Sequence, residues 1–320
     1  LSLIMYRLEQ TLPNFSETAV SVDSNRTVRR ITASGSNKQR RKLKEKASKV
    51  FLRLVAWFVI TAFFAVVFYI GYQGLEKISL EFLIGNPKNM MTEGGILPCI
   101  VGTCLLALGA VAVALPLGVF SAIWLNEYAK DGPLKRLITL SVANLAGVPS
   151  IVFGLFGLAF FVILCDLGVS AVSGILTLAV LTLPIIINTV RETLSQIPNA
   201  WKEASYALGA TKHETILRTV LPAAMPGIMT GAVLAVARAA GETSAIMFTA
   251  AVVMTTDAFN SPLSAVMALP HHIYILATTG AEPEKVLPMQ SASALVLLFA
   301  VFLMNLTAIY FRQKASHLPK

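Results

Sequence analysis

Charge is scarce in this sequence. Asp, Glu, Lys and Arg together make up 13% of its 320 residues, about half the share of an ordinary soluble domain. A chain this long needs more polar coverage to face water, which excludes a soluble globular enzyme and a disordered chain. Cysteine is scarce too. Cys99, Cys104 and Cys165 are the full complement of three, too few to staple a secreted scaffold of this size. No G-x-x-x-x-G-K-[ST], H-E-x-x-H or G-x-S-x-G pattern occurs, so the chain carries no recognisable catalytic or nucleotide-binding machinery. Any work it does draws its energy from elsewhere.

What the sequence has in excess is apolar length. Hydrophobic residues make up 55% of the chain, and the mean hydropathy is +0.70. Six stretches reach the ~20 residues that cross a bilayer: 50–72, 96–125, 137–164, 169–190, 221–253 and 289–310. The expected fold is therefore all-α, a polytopic membrane protein with six transmembrane helices. Reading alternate loops as one side tests this. Residues 1–53, the loops 126–136 and 191–218, and the tail after 311 carry 12, 3, 4 and 3 Lys or Arg, which is 22 of the 26. The opposite loops hold Lys77, Lys88 and Lys285, and Arg238 falls inside the fifth stretch. By the positive-inside rule the basic side is cytoplasmic, placing both termini inside. The net charge of +9 is then a topology signal and membrane lipid the surrounding partner, with no nucleic acid implied.

Composition divides the chain into a basic cytoplasmic tail over 1–49, expected to be disordered because it buries too little to order itself, a transmembrane domain over 50–312 and a short cytoplasmic tail over 313–320. The basic tail reads either as a solvated topology determinant or as a lipid- or partner-binding arm. Cys99 and Cys165 fall near the outer face, where a disulfide or two small hydrophobes are both consistent with the pattern. His271 and His272 lack neighbouring Cys or carboxylates, so they form a weak metal signal and read as a solvated outer loop. No metal site is expected.

Helix breakers punctuate the second and third stretches, at Leu115-Pro116-Leu117-Gly118 and at Gly147-Val148-Pro149-Ser150. A freed backbone carbonyl is tolerated in lipid only where it is buried in protein or lines a wet cavity, so the breaks serve either close packing or a cavity. The fifth stretch contains Arg238-Ala239-Ala240-Gly241-Glu242-Thr243. An Arg deep in a membrane costs at least ~2.5 kcal/mol, and Glu242 lies one helical turn on, in position to pair with it. The pair is either a self-neutralising strut or a solute site. In the second reading Arg238 is the cation an anionic solute meets, since a guanidinium fork suits oxyanions. Glu242, Thr243 and Ser150 are the accompanying pathway residues.

Between the fourth and fifth stretches, residues 198–211 read as a short helix. Asn199 is placed to cap its start, Gly209 to end it, and Trp201, Ala204 and Leu208 share a face. A short helix with an apolar stripe suits docking into a groove. Glu203-Ala204-Ser205, three residues, Gly209, and then a spacer to Leu221-Pro222 resembles the EAA loop of the permeases of binding-protein-dependent ABC importers. Ser205 replaces the second Ala of that pattern and Thr219 a common Ile; both are mild departures. Within that superfamily the chain resembles the phosphate permeases. The supporting runs are Gly94-Gly95-Ile96-Leu97-Pro98, Leu125-Asn126-Glu127-Tyr128-Ala129, Ala146-Gly147-Val148-Pro149-Ser150 and Arg238-Ala239-Ala240-Gly241-Glu242-Thr243, across about residues 90–310.

The resemblance implies a type I ABC importer permease fold and a subunit role. A paralogous permease would complete the pathway, and two ATPase subunits would dock on the 191–218 loop. An extracytoplasmic phosphate-binding protein would deliver inorganic phosphate. ATP and Mg would sit on the ATPases, leaving no cofactor on this chain. Trp201, Glu203, Ala204, Ser205, Leu208, Gly209, Leu221 and Pro222 would be the coupling residues. The rivals are a permease for sulfate, molybdate or phosphonate, and a non-transporting scaffold or sensor using the same loop. An intramembrane enzyme lacks a catalytic constellation to support it.

Overall fold

The computed structural model describes residues 24–91, 93–255, 261–279 and 283–316. Chain contacts group Leu1–Val66 and Val67–Lys320 as two units. The first is occupied by α1 (Ser24–Gly74), which continues into the second. The helix begins far upstream of the apolar stretch. Residues 24–49, expected to be disordered on composition, are helical; Arg, Lys, Glu and Ala are good helix formers, and extending an existing helix avoids the cost of a new nucleus. The part of that expectation covering 1–23 lies outside the described residues. The apolar side chains of α1, such as Phe58, Phe64 and Phe68, are exposed, as on a helix that lipid surrounds.

In the second unit α2 (Leu80–Ile84) and a two-residue hairpin, β1 (Pro87–Lys88) on β2 (Glu93–Gly94), lead into α3. Helix α3 (Leu97–Ile123) is prolonged through a wide π-type turn to Tyr128. Then come α4 (Pro133–Leu145), α5 (Ser150–Gly157) with a π-type extension to Leu164, and α6 (Ala171–Ser195). The short helices α7 (Asn199–Ala207) and α8 (Lys212–Thr215) precede α9 (Leu221–Ala240). Helices α10 (Leu269–Thr279) and α11 (Pro283–Ser316) close the described chain. Among the described residues five helical segments are long and apolar enough to cross a membrane, and the pair 133–145 and 150–164 makes a sixth if counted as one span, bent by 103°.

That bend sits at the predicted Gly147-Val148-Pro149-Ser150 break. The other predicted break does not form: Pro116 lies inside an unbroken α3, as Pro184 and Pro226 do in α6 and α9. One proline removes one backbone hydrogen bond, and a 27-residue apolar helix retains the rest. The fifth span is shorter than the sequence suggested, ending at Ala240 with Gly241 as its cap. The run to 253 continues as non-helical backbone, since Gly241 and the following Thr243-Ser244 favour turns over helix.

This irregular segment is buried. Ala245, Ile246 and Ala250, with Val266 and Ala268 ahead of α10, are core residues alongside Leu106, Ala110, Leu178 and Ala239. Its backbone groups find partners as buried groups must. Ser170, Ala171 and Val172 at the start of α6 donate to the carbonyls of Thr249, Ser264 and Pro262, while the Val252 amide donates to Val266 O and the Val266 amide to Ala250 O. Thr103 of α3 accepts from the Leu269 amide at 2.8 Å. The most extensive helix packing is α3 on α6, followed by α9 on α6. Helix α3 thus runs from α10 at one end of the bundle to α7 and α8 at the other.

Candidate functional site

At the α7 end the chain makes an inverted amphipathic helix. Two polar side chains of α7 point inward: Lys202 Nζ donates to Glu127 Oε1 at 2.6 Å, with the side chains only 16% and 7% exposed, and Ser205 Oγ lies 2.9 Å from Thr215 Oγ1. The apolar ones point outward. Trp201 is 47% exposed and Leu208 90%, with Glu203, Ala204 and Tyr206 exposed beside them. A helix held by its polar face and offering its apolar face to the outside is built to be covered.

The turn after α7 fixes this presentation. Gly209 has φ +84°, which an L-residue reaches only at a cost. Its amide donates to Tyr206 O at 2.9 Å and that of Ala210 to Ser205 O at 3.2 Å, the paired bonds of a Schellman C-terminus. Gly209 ends the helix as its sequence position indicated. Asn199 does not cap the other end: it is the first helical residue, and Pro198 occupies the cap without a side-chain bond. The cap falls there because Pro198, which has no amide and a fixed φ, is pre-set to lead the chain into the helix. Thr211 caps α8 reciprocally with Glu214. Leu221 and Pro222 open α9, where a first-turn proline loses no helical bond. Leu221 is half-buried and Pro222 exposed. Sequence reasoning missed Glu127 and Lys212 as parts of this element. A charged residue directly after a spanning helix was the available signal.

The second candidate constellation lies where α9 stops. Arg238 Nη2 is 3.5 Å from Glu242 Oε2, and the side chains are 48% and 7% exposed. The carboxylate is enclosed by Thr103, Leu106, Leu178, Ala268 and Pro270, while the guanidinium reaches into the open. Ser150 and Thr243 are both half-buried. Ser150 begins α5, which approaches the segment after Thr243 closely: a Cβ on Gly154 would meet Ser244 O at 2.8 Å and Ala245 Cα at 3.1 Å. The elements carrying the four pathway residues thus meet, and the ion pair itself joins only Arg238 and Glu242.

His271 and His272 are not the solvated loop their position suggested. Both are buried, in α10, because this stretch folds back over α3 and α11. His272 Nδ1 lies 3.1 Å from Met91 Sδ. Burial, with His271 adding to it, pushes the His272 imidazole down to about 4. Among the described residues no group of three or more His, Cys, Asp or Glu is arranged to hold a metal ion, and the three cysteines are free thiols.

The helices among the described residues that are long and apolar enough to cross a membrane define a polytopic membrane protein. The chain belongs to the family of binding-protein-dependent transport system inner membrane components, whose sequence model matches residues 114–315. It is 37% identical over 225 residues to the phosphate transport system permease protein PstA 1 of Mycobacterium tuberculosis, covering 70% of this chain and 72% of that one. It is 30% identical over 281 residues to the probable ABC transporter permease protein YqgI of Bacillus subtilis, covering 84% and 95%. Among solved structures, an inward-facing MetNI methionine ABC transporter matches with a TM-score of 0.54 at 20% identity, over 69% of this chain and 94% of that one. At that identity the likeness is one of fold, and the fold is that of ABC importer permeases of type I.

Proposed function

We propose that the chain is the transmembrane permease subunit of an ATP-driven phosphate importer, forming half of the translocation pathway and docking an ATPase through α7. The observation that carries the docking is Leu208, 90% exposed at the C-terminal cap of a helix that Lys202 and Ser205 pin to the bundle. Exposed apolar side chains on a rigid element are what a partner groove selects. Support for an oxyanion comes from Arg238, whose guanidinium is half open while its counter-charge is buried. Such a fork offers paired donors to a tetrahedral anion. Phosphate as the particular anion rests on the relatives named PstA.

In this reading a paralogous permease supplies the other half of the pathway. Two ATPase subunits bind ATP and Mg on the cytoplasmic side, and an extracytoplasmic phosphate-binding protein delivers inorganic phosphate to the α10 end. Both termini are cytoplasmic, in agreement with the distribution of Lys and Arg. The test is affinity purification from membranes together with uptake by cells lacking the subunit. Co-purification of an ATPase and a second permease, with phosphate uptake lost on deletion, supports the proposal. Unchanged phosphate uptake with loss of sulfate, molybdate or phosphonate uptake assigns the pathway to another oxyanion. Recovery without an ATPase supports a scaffold or sensor.

A further inference from the structure

Glu127 grips the α7–α8 element on both sides of Gly209. Its Oε1 accepts from Lys202 Nζ at 2.6 Å and from Asn126 Nδ2 at 2.7 Å, and its backbone carbonyl accepts from Lys212 Nζ. The same Lys212 ammonium stands 4.7 Å over the Tyr128 ring. Lys202 belongs to α7 and Lys212 to α8, separated by the Schellman turn. The two helices are tied to each other by Ser205 and Thr215, and the Thr211–Glu214 capping box holds Lys212 at the first turn of α8. Glu127 itself terminates the segment that runs unbroken from Leu97 to Tyr128, 32 residues or about 48 Å of helix.

We propose that Glu127 is the latch that makes α3 move with the coupling element, so that displacement of α7 by its partner is delivered along α3 to the opposite end. The proposal rests on the reading of α7 as an ATPase-docking helix. Each link is stiff. The Glu127–Lys202 pair is largely withdrawn from water, where an ion pair is screened little and is costly to break. Two lysines ten positions apart converge on one residue, which fixes both rotation and position of the element. At the far end Thr103, on the same helix, accepts from Leu269 at the start of α10 and donates to Cys99 O at 2.7 Å. Helix α3 therefore holds a hydrogen-bonded contact at each end, one to the coupling element and one to the cap over the bundle. A two-ended strut is the physical requirement for coupling sites this far apart. Glu127 acts as a positioning residue and touches neither solute nor nucleotide.

The experiment uses the complex purified through this chain and reconstituted with its binding protein. Glu127→Gln and Lys202→Met are expected to assemble at lowered abundance, since each leaves a largely buried partner unpaired, and to hydrolyse ATP, while phosphate transported per ATP falls about tenfold, a typical coupling change. The double substitution should cost no more than either single one, because both break the same contact. Exchange of the charges, Glu127→Lys with Lys202→Glu, should recover part of the loss. Transport that falls only in proportion to complex abundance overturns the latch, as does an unchanged transport ratio. A second readout is independent of transport. Spin labels at Lys130→Cys and Ala207→Cys, in a Cys165→Ser background, should give a narrow distance distribution in the parent chain and a broad one in Glu127→Gln. A distribution equally narrow in both overturns the latch even if no transport is measured. Failure of the wild-type complex to retain an ATPase or move phosphate defeats the proposed function, a result distinguishable from either.

Discussion

Arg238 and Glu242 form an ion pair of unequal partners: the atoms are 3.5 Å apart, but the guanidinium is 48% exposed and the carboxylate 7%. Here the enclosed carboxylate holds an open cation in place, and the helix ends between them, at Ala240. Removing Arg238 alone leaves Glu242 buried and unpaired, a loss of roughly 3–5 kcal/mol for a buried pair, discounted here because one partner is open to solvent. Arg238→Gln is therefore expected to lower both abundance and phosphate uptake. Arg238→Gln with Glu242→Gln should restore abundance and leave uptake low. Abundance and uptake measured side by side check this, and near-normal uptake in the double variant assigns the pair to scaffolding.

The coupling turn makes a second prediction. Gly209→Val places a β-branched residue at φ +84°, costing about 1–2 kcal/mol, enough for roughly a tenfold shift in a docking equilibrium. Leu208→Asp leaves the fold intact, because the side chain is already exposed, yet removes an apolar anchor, at about 2 kcal/mol for a central contact. Both variants should remain in the membrane and lose ATPase on affinity purification. Glu203→Lys, on the same outward face, should do the same. Wild-type ATPase retention in all three removes α7 as the docking element.

Sidedness gives a third. Cysteines introduced at Asn89 and Ser261 should label from outside, and those at Lys130 and His213 only after permeabilisation, as the distribution of Lys and Arg in the loops requires. External labelling at His213 contradicts the topology and, with it, cytoplasmic docking.

Helix α5 packs on the irregular segment without room for a side chain at Gly154, where a Cβ would fall 2.8 Å from Ser244 O. Gly154→Ala must displace backbone, at roughly 1–3 kcal/mol. A lowered melting temperature of the detergent-solubilised protein and reduced uptake are expected together. Unchanged melting would show that α5 can shift freely.

His272 supplies a pH dependence. Its imidazole is held at about 4, below the usual ~6.5, so the folded state binds the neutral form. The associated stability is present above pH ~6.5 and is lost as pH falls toward 4, by about 3 kcal/mol at most. Thermal melting followed from pH 7.5 to 4.5 should show a decline that His272→Gln reduces. Equal slopes in both proteins would assign the decline to other groups.

The apolar stretches and the placement of Lys and Arg made the membrane helices legible, because lipid imposes length and charge rules that need no tertiary information. The Pro149 bend was readable since Gly147 and Ser150 flank the proline, while Pro116 was misread because a proline with one nearby glycine does not decide whether a long apolar helix continues. The end of α9 at Gly241 and the burial of His272 depend on segments that fold back over the bundle, which no local pattern records. The outward face of α7 followed from its spacing. Its anchor did not, since Glu127 and Lys202 are 75 residues apart and meet only in three dimensions.

The most direct test of the account is ATP-driven phosphate accumulation in proteoliposomes containing the complex purified through this chain, with its binding protein supplied on the outer side. The account predicts accumulation that requires ATP on the opposite side and is lost with Leu208→Asp. Retention of the ATPase and partner permease with no phosphate accumulation, under conditions in which another oxyanion is accumulated, would contradict it.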